Sequence, residues 1–128
     1  MSTGRRGFPE AVERLGEVLA LPESDVTRDA AIQRFETCYE LAWKVIPEAL
    51  RVQGLDCRSP RSCVRAAWSQ GWIEAEAPWL AMLDDRNLTT HTYDESMARQ
   101  VFGRLPAYLP ALRALTRAPD RAGGAGGA

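Results

Sequence analysis

Apolar residues recur along most of the chain at the three- and four-residue spacing of amphipathic helices, and no segment shows the alternating pattern of a strand. The helical pattern falls into five segments: residues 8–20, residues 27–53, residues 60–71, a segment that begins near residue 78 and one that follows residues 92–95. Because the connections are short, this pattern predicts an all-α protein built as an antiparallel up-and-down bundle of four to five helices.

The second segment carries the longest apolar stripe. Its width predicts a central helix with neighbours on more than one side. Thr27 is the predicted N-cap and Gly54 the predicted stop, while Pro47 is expected to kink the helix because its ring clashes with the preceding turn. The stripe consists of Ile32, Phe35, Tyr39, Ala42, Ile46 and Ala49, widened by Cys38, Leu41 and Val45.

The third and fourth segments have different signals. Ser59-Pro60 is typical of a helix start, with an N-cap followed by proline at the first helical position. In the fourth segment, Leu80 and Leu83 are predicted to face inward, and the next positions on that face are Asn87 and His91.

The fifth segment opens with residues 92–95, Thr-Tyr-Asp-Glu, which match the capping-box pattern T-x-x-E. Pro106 and Pro110 lie inside its apolar pattern. We expect these prolines to bend or interrupt the helix.

The length of 128 residues predicts one domain with one core. Residues 8–117 form the predicted bundle, whereas residues 1–7 and 118–128 contain too little apolar area and are predicted to be disordered tails. No stretch approaches the roughly 20 apolar residues of a membrane span, so we expect a cytoplasmic protein. Sixteen Lys and Arg against 17 Asp and Glu exclude a strong basic field, so any contact with nucleic acid should be local.

The three cysteines, Cys38, Cys57 and Cys63, contain no CxxC pair. An odd number without paired spacing argues against a disulfide framework and against a structural zinc site. The pattern predicts buried or free thiols.

Residues 84–95, "DDRNLTTHTYDE", gather many polar and titratable side chains in one short segment and include the single histidine. Arg86, Asn87 and His91 bring a permanent cation, an amide and an imidazole to one end of the bundle. A packing or capping role is the alternative, since a lone histidine is more often structural and Asp84 or Asp85 can pair with Arg86 on the surface.

The stretch "RNLTTHTY" resembles the R-x(4-6)-H-x-Y signature of HEPN domains, with Arg86, Asn87, His91 and Tyr93 in its defined positions. Three blocks, "RDAAIQRFETCYELAWK", "SPRSCVRAAWSQGWI" and "WLAMLDDRNLTTHTYDE", are similar to the bacterial nucleotidyltransferase substrate-binding proteins. The resemblance covers roughly residues 8–115. The prolines inside the second and fifth segments depart from the uninterrupted helices of that family.

This resemblance implies a homodimeric toxin and metal-independent endoribonuclease, without a cofactor, paired with a minimal nucleotidyltransferase. It implies that His91 transfers protons, that Arg86 holds the scissile phosphate, and that Asn87 orients the ring or binds an oxygen. The tyrosine of the signature, Tyr93, would receive AMP from the transferase, which would block the site.

Glu36, Glu40 and Lys44 line one face of the second segment at i, i+4 and i+8. Solvated ion pairing is the simpler explanation, and a contact with a nucleotide or the partner enzyme, in which Asp85 would join, is the other. Trp43 beside them belongs to the core or stacks on a base. Two functions remain open: an endoribonuclease acting on RNA, and a non-catalytic subunit that binds a nucleotide or substrate for the transferase. A structural dimer partner is a third and weaker alternative.

Overall fold

The computed structural model describes residues 3–91 and 94–127, and the side chains of residues 7–91 and 94–117. Within these residues the chain forms five α-helices and no strand, which confirms the all-α prediction. No described helix combines the length and the apolarity needed to span a bilayer. The predicted tails fall largely outside the described side chains, so their disorder stays a prediction. The helices are α1 (Thr3–Leu19), α2 (Asp25–Val52), α3 (Pro60–Ser69), α4 (Ala77–His91) and α5 (Glu95–Gly127).

Helix α2 is the central helix, as predicted, and packs against all four others. Its predicted apolar stripe is buried along its whole length, from Ile32 to Ala49. Only Leu41, on the edge of that stripe, remains partly exposed. A wide apolar surface has to be covered on several sides, which is why α1, α5 and the shorter helices gather around this one.

The internal prolines do not break the helices. Helix α2 continues through Pro47, and α5 continues through Pro106 and Pro110. Each proline inside a helix costs about 3 kcal/mol, while each fully buried leucine contributes about 1.5–3 kcal/mol. Because Leu105 and Leu112 of α5 are completely buried, packing offsets the lost hydrogen bonds. The predicted interruption is therefore wrong, and a bend at these prolines stays a prediction.

Helix α2 begins earlier than predicted, because its N-cap is Ser24 rather than Thr27. The Ser24 hydroxyl accepts the Thr27 amide at 3.1 Å, and the Thr27 hydroxyl accepts the Ser24 amide at 2.7 Å. This reciprocal box satisfies two amides, whereas a cap at Thr27 alone satisfies one. Ser59 forms the equivalent box with Ser62 and starts α3, as predicted.

The start of α5 also differs from the prediction. Asp94 is the N-cap, because its side chain accepts the Met97 amide at 2.8 Å. Glu95 is therefore the first residue of the helix. A capping box that begins at Thr92 would require Glu95 to be the third residue. Thr92 itself lies outside the described residues. The positive end of the helix dipole stabilises a carboxylate at the N-cap, which favours Asp94 over Thr92 at this position.

The inner face of α4 is shifted by about one position from the predicted stripe. Trp79, Met82, Asp85 and Thr89 are buried, whereas Asn87 and His91 are exposed. The prediction of an inward stripe ending in Asn87 and His91 is therefore wrong. Trp79 and Met82 bury more apolar area than the two leucines, and Asp85 and Thr89 find polar partners inside.

The prediction of free thiols is wrong for two of the three cysteines. Cys57 and Cys63 form a disulfide across the start of α3, with their Cα atoms 5.1 Å apart. The chain reverses at Ser59 and Pro60, which brings the two residues within disulfide range although their sequence spacing matches no common motif. Cys38 is free and buried, and burial raises the pKa of its thiol to about 12.

We predict that the chain, unfolded without reductant, exposes one reactive thiol, and three after reduction. Closing so short a loop should stabilise the fold by about 2 kcal/mol in the chain-entropy model. Thiol titration in denaturant measures the number of reactive thiols, and urea unfolding with and without reductant measures the stabilisation by the disulfide. Cys57→Ser is the control, because reductant should not change its stability; three thiols without reduction would contradict the disulfide.

Candidate functional site

The carboxyl-terminal half of α4 presents two different surfaces. Asp85 and Thr89 turn toward the neighbouring helices and are buried. Arg86 and Asn87 turn to a surface groove between α2, α4 and the start of α3. The same two turns of helix therefore hold the anchors of α4 and the predicted site residues.

Asp85 anchors α4 to α5. Its carboxylate accepts two hydrogen bonds from the Arg104 guanidinium, at 2.9 Å from Nε and 2.6 Å from Nη2. The Tyr108 hydroxyl donates to the same carboxylate, and burial together with this bond raises the pKa of Tyr108. Asp85 is 4% exposed, so these three bonds replace its hydration. The predicted surface pair between Asp85 and Arg86 does not form.

Thr89 anchors the next turn to α2. Its hydroxyl donates to a Glu36 carboxylate oxygen at 2.8 Å and lies 3.0 Å from the Arg86 carbonyl oxygen. A charge-assisted bond of this kind contributes about 1.5–3 kcal/mol when it is buried. Polar contacts thus hold α4 on both sides at the point where Arg86 and Asn87 leave the helix.

The groove has a volume of about 260 Å³. Its polar rim consists of Glu40, Arg86 and Asn87, and Tyr39 and Trp43 form part of its wall. The predicted residues Arg86, Asn87 and Glu40 therefore do lie together. The rim combines a cation, an amide and a carboxylate around an aromatic wall, which suits a ligand with a phosphate and a planar ring.

The Arg86 guanidinium is available for a ligand. Among the described residues, none forms an ion pair or a side-chain hydrogen bond with it. Its side chain is nevertheless half-buried against the groove. A guanidinium that is partly dehydrated and forms no ion pair is a favourable site for a phosphate, which it can bind through two parallel hydrogen bonds.

Two buried polar groups of the groove are also without partners among the described residues. These are the Tyr39 hydroxyl and the Trp43 indole nitrogen. Burial raises the pKa of Tyr39 to about 12, although the Arg86 cation and the Trp43 indole N–H, which lies near the Tyr39 oxygen without normal hydrogen-bond geometry, oppose that rise. The Tyr39 hydroxyl is therefore protonated at neutral pH.

The remaining predicted site residues lie apart from the groove. His91 is exposed in the last turn of α4, one turn beyond Asn87. Lys44 is exposed on α2 and does not line the groove, and no ion pair among the described residues involves Glu36, Glu40 or Lys44. The simple ion-pairing explanation for that face is thus unsupported. Tyr93 lies outside the described residues.

Sequence reasoning missed several residues of this region. Tyr39 appeared only as a member of the apolar stripe, and Arg104 and Tyr108 were assigned no role. A period-based pattern treats tyrosine as apolar and arginine as exposed, so it cannot show that one hydroxyl finds a partner and another does not. Pro60, which lines the groove from the start of α3, carried only a capping signal.

Fold and site together define an all-α protein whose fourth helix presents an arginine and an amide to a groove on the central helix. The chain belongs to the family described as nucleotidyltransferase substrate binding protein like, whose model matches residues 6–119. This confirms the resemblance that the sequence blocks indicated.

Individual relatives agree with this assignment. "Probable ribonuclease HepT" of Haemophilus influenzae is 32% identical over 84 residues, which cover 62% of this chain and 58% of that protein. A crystal structure from Thermus thermophilus matches with a TM-score of 0.77 at 41% identity, over 84% of this chain and 94% of that one.

A second solved structure shares the fold at lower identity. It comes from Haemophilus influenzae and is described as revealing the fold of a substrate binding domain of a nucleotidyltransferase. The match has a TM-score of 0.79 and 24% identity, over 91% of this chain and 98% of that one.

We predict that Asp85→Asn lowers the free energy of unfolding by about 2 kcal/mol, because it removes the charge that Arg104 and Tyr108 share. This loss of unfolding free energy is smaller than that expected for a fully buried ion pair, because the Arg104 side chain is 45% exposed. Urea unfolding measures it. Asp84→Asn is the matched control, one residue away on the exposed side, and should change stability by less than about 0.5 kcal/mol. Equal effects of the two substitutions would contradict an anchoring role for Asp85.

Proposed function

We propose that this protein is a HEPN-type toxin, an endoribonuclease that cleaves RNA without a metal ion, acts as a homodimer and is controlled by a paired minimal nucleotidyltransferase. The observation that carries the proposal is the half-buried Arg86 guanidinium, which has no partner among the described residues and lines a groove with Asn87. The family and the relative named as a probable ribonuclease support it.

The reaction needs an acid, a base and a cation. A base removes the proton from a ribose 2′-hydroxyl, whose oxygen attacks the adjacent phosphorus; the bond from phosphorus to the 5′-oxygen breaks, and an acid protonates that leaving oxygen. The products are a 2′,3′-cyclic phosphate and a 5′-hydroxyl. Arg86 would stabilise the charge on the phosphorane, and imidazole, with a pKa near neutrality, suits both proton transfers.

A second copy of the chain completes this chemistry. One chain contains a single histidine, so one imidazole cannot hold both proton-transfer positions at once. In a two-fold dimer, His91 of one copy would act as base and His91 of the other as acid, with an Arg86 from each. The exposure of His91 at the end of α4 is consistent with this arrangement.

We expect His91→Ala to lower the rate of RNA cleavage by at least about 10³-fold, since both proton transfers would be lost, and Arg86→Ala to lower it about 10²-fold. Cleavage is measured on a labelled single-stranded RNA in EDTA. Arg65→Ala, an exposed arginine on α3, is the control for loss of charge and should retain full activity. Activity that EDTA abolishes, or that survives in His91→Ala, would oppose the proposal.

A non-catalytic binding subunit is the second candidate function. It is favoured by the groove itself, in which Arg86 lies beside buried donors without partners, a composition that suits the binding of a nucleotide for a transferase. The family description is also worded in these terms. No cleavage by the wild type or by His91→Ala, with retained binding of nucleotide or transferase, would favour this function.

The regulation that we propose is transfer of AMP from ATP to Tyr93, in which the hydroxyl loses its proton, its oxygen bonds to the α-phosphorus and pyrophosphate leaves. The other two tyrosines, Tyr39 and Tyr108, are each 4% exposed, so an enzyme has poor access to them in the folded chain. In the sequence, Tyr93 comes two residues before Glu95, the first residue of α5, and a phosphate near a helix N-terminus is favoured by the helix dipole.

After incubation with a neighbouring minimal nucleotidyltransferase and ATP, mass spectrometry should show one AMP on the peptide that contains Tyr93, and RNA cleavage should fall. Tyr93→Phe should remain unmodified and active. An active transferase that leaves wild-type Tyr93 unmodified would disprove this regulation.

A further inference from the structure

The wall of the groove contains two hydrogen-bond donors that the described part of the chain does not use. They are the Tyr39 hydroxyl and the Trp43 indole N–H, both closed to water. Tyr39 is 4% exposed. Buried polar groups are nearly always paired, and leaving one unpaired costs about 1–3 kcal/mol. A ligand that accepts from these donors would remove that cost.

The packing of α2 determines where the donors lie. The Tyr39 and Trp43 rings meet edge to face, with centroids 5.3 Å apart and planes at 69°. Phe35 also packs against Tyr39, with a centroid separation of 6.2 Å. The rings are therefore fixed before a ligand arrives, which lowers the entropy that binding has to overcome.

The rim of the groove supplies complementary groups. The Glu40 carboxylate, exposed on α2, is an acceptor, and Arg86 is a cation suited to a phosphate. Trp43 and Pro60 offer flat apolar surfaces. The volume of about 260 Å³ lies just below the range of about 300–1,000 Å³ typical of sites for drug-sized molecules, so the groove has room for one planar ring system.

We propose that this groove binds a single nucleobase of an RNA strand, beside the phosphate held by Arg86, and prefers adenine or cytosine to uracil. Adenine and cytosine carry a ring acceptor next to an exocyclic amino group. The acceptor meets the donors of Tyr39 and Trp43, and the amino group donates to Glu40. Uracil presents a carbonyl where those bases have the amino group, and a carbonyl facing a carboxylate is repelled.

Because both donor atoms are buried, the proposed binding requires a side chain of the rim to move aside. Arg86 is the residue suited to this movement, because it has a long side chain and no partner among the described residues. In the proposed complex, movement of Arg86 toward the phosphate would open the groove and form the ion pair. The inference deepens the proposed function, since it rests on the same Arg86 as the phosphate site.

The test uses 2′-O-methyl tetranucleotides of adenine, cytosine or uracil, which bind but lack the attacking hydroxyl. Wild-type protein should bind the adenine and cytosine probes about five- to tenfold more tightly than the uracil probe, as one net hydrogen bond allows. Tyr39→Phe should lose about five- to tenfold in affinity for the first two probes. Its thermal stability should stay unchanged or rise, because an unpaired hydroxyl is removed. Trp43→Phe should show the same loss of affinity.

Tyr108→Phe is the matched control. Tyr108 is buried to the same extent, but its hydroxyl is bonded to Asp85, so this substitution should lower thermal stability. Affinity for all three probes should stay unchanged, because the two bonds from Arg104 still hold Asp85. Equal affinity of the wild type for the three probes, or a Tyr39→Phe protein that is less stable with unchanged affinity, overturns the proposed base site.

Cleavage of unmodified RNA separates this inference from the proposed nuclease. Cleavage that depends on His91, with equal binding of the three probes, overturns the base site and leaves the nuclease in place. Discrimination among the probes that Tyr39→Phe abolishes, without any cleavage, supports the base site and favours the non-catalytic subunit.

Discussion

The buried carboxylate of Asp85 determines which face of α4 is turned to the core. Three hydrogen bonds from α5 surround it, and the observed rotation of the helix satisfies them while keeping Trp79 and Met82 inside. A buried ion pair of this kind contributes little net stability compared with an apolar pair. An arrangement that buries the carboxylate without its partners, however, costs about 3–5 kcal/mol. Its effect is therefore on the rotation and register of the helix, from which the direction of Arg86 follows.

The described part of the chain divides its polar groups into two sets. Asp85, Thr89 and Glu36 have partners inside the protein and hold α4 between α5 and α2. Arg86 and the Tyr39 hydroxyl lack such partners. The paired groups hold the backbone of α4 in place next to the unpaired ones. Binding and catalysis both need functional groups that are positioned in this way. This division is the physical basis for assigning function to the groove rather than to the charged surface as a whole.

The helical segments and the central position of α2 could be predicted because long apolar stripes at helical spacing dominate the burial energy. Arg86 and Asn87 were found through the signature that they complete, and the groove brings them together. The rotation of α4 was missed, because a pattern of apolar positions treats Asp85 as exposed. The disulfide was missed because it depends on the turn at Ser59, and the interruption at Pro106 was wrong because packing outweighs one lost hydrogen bond.

The sequence by itself determined the class of fold, the helical segments, the family and the residue types available for chemistry, since these follow from local periodicity and from motifs that are contiguous in the chain. Only the tertiary structure decided which polar groups are paired and which are free. Pairing depends on residues far apart in the chain, such as Asp85 with Tyr108 and Thr89 with Glu36, and on the rotation of one helix against another. No local pattern contains that information, because the free energy of a buried polar group is set by its neighbours in space.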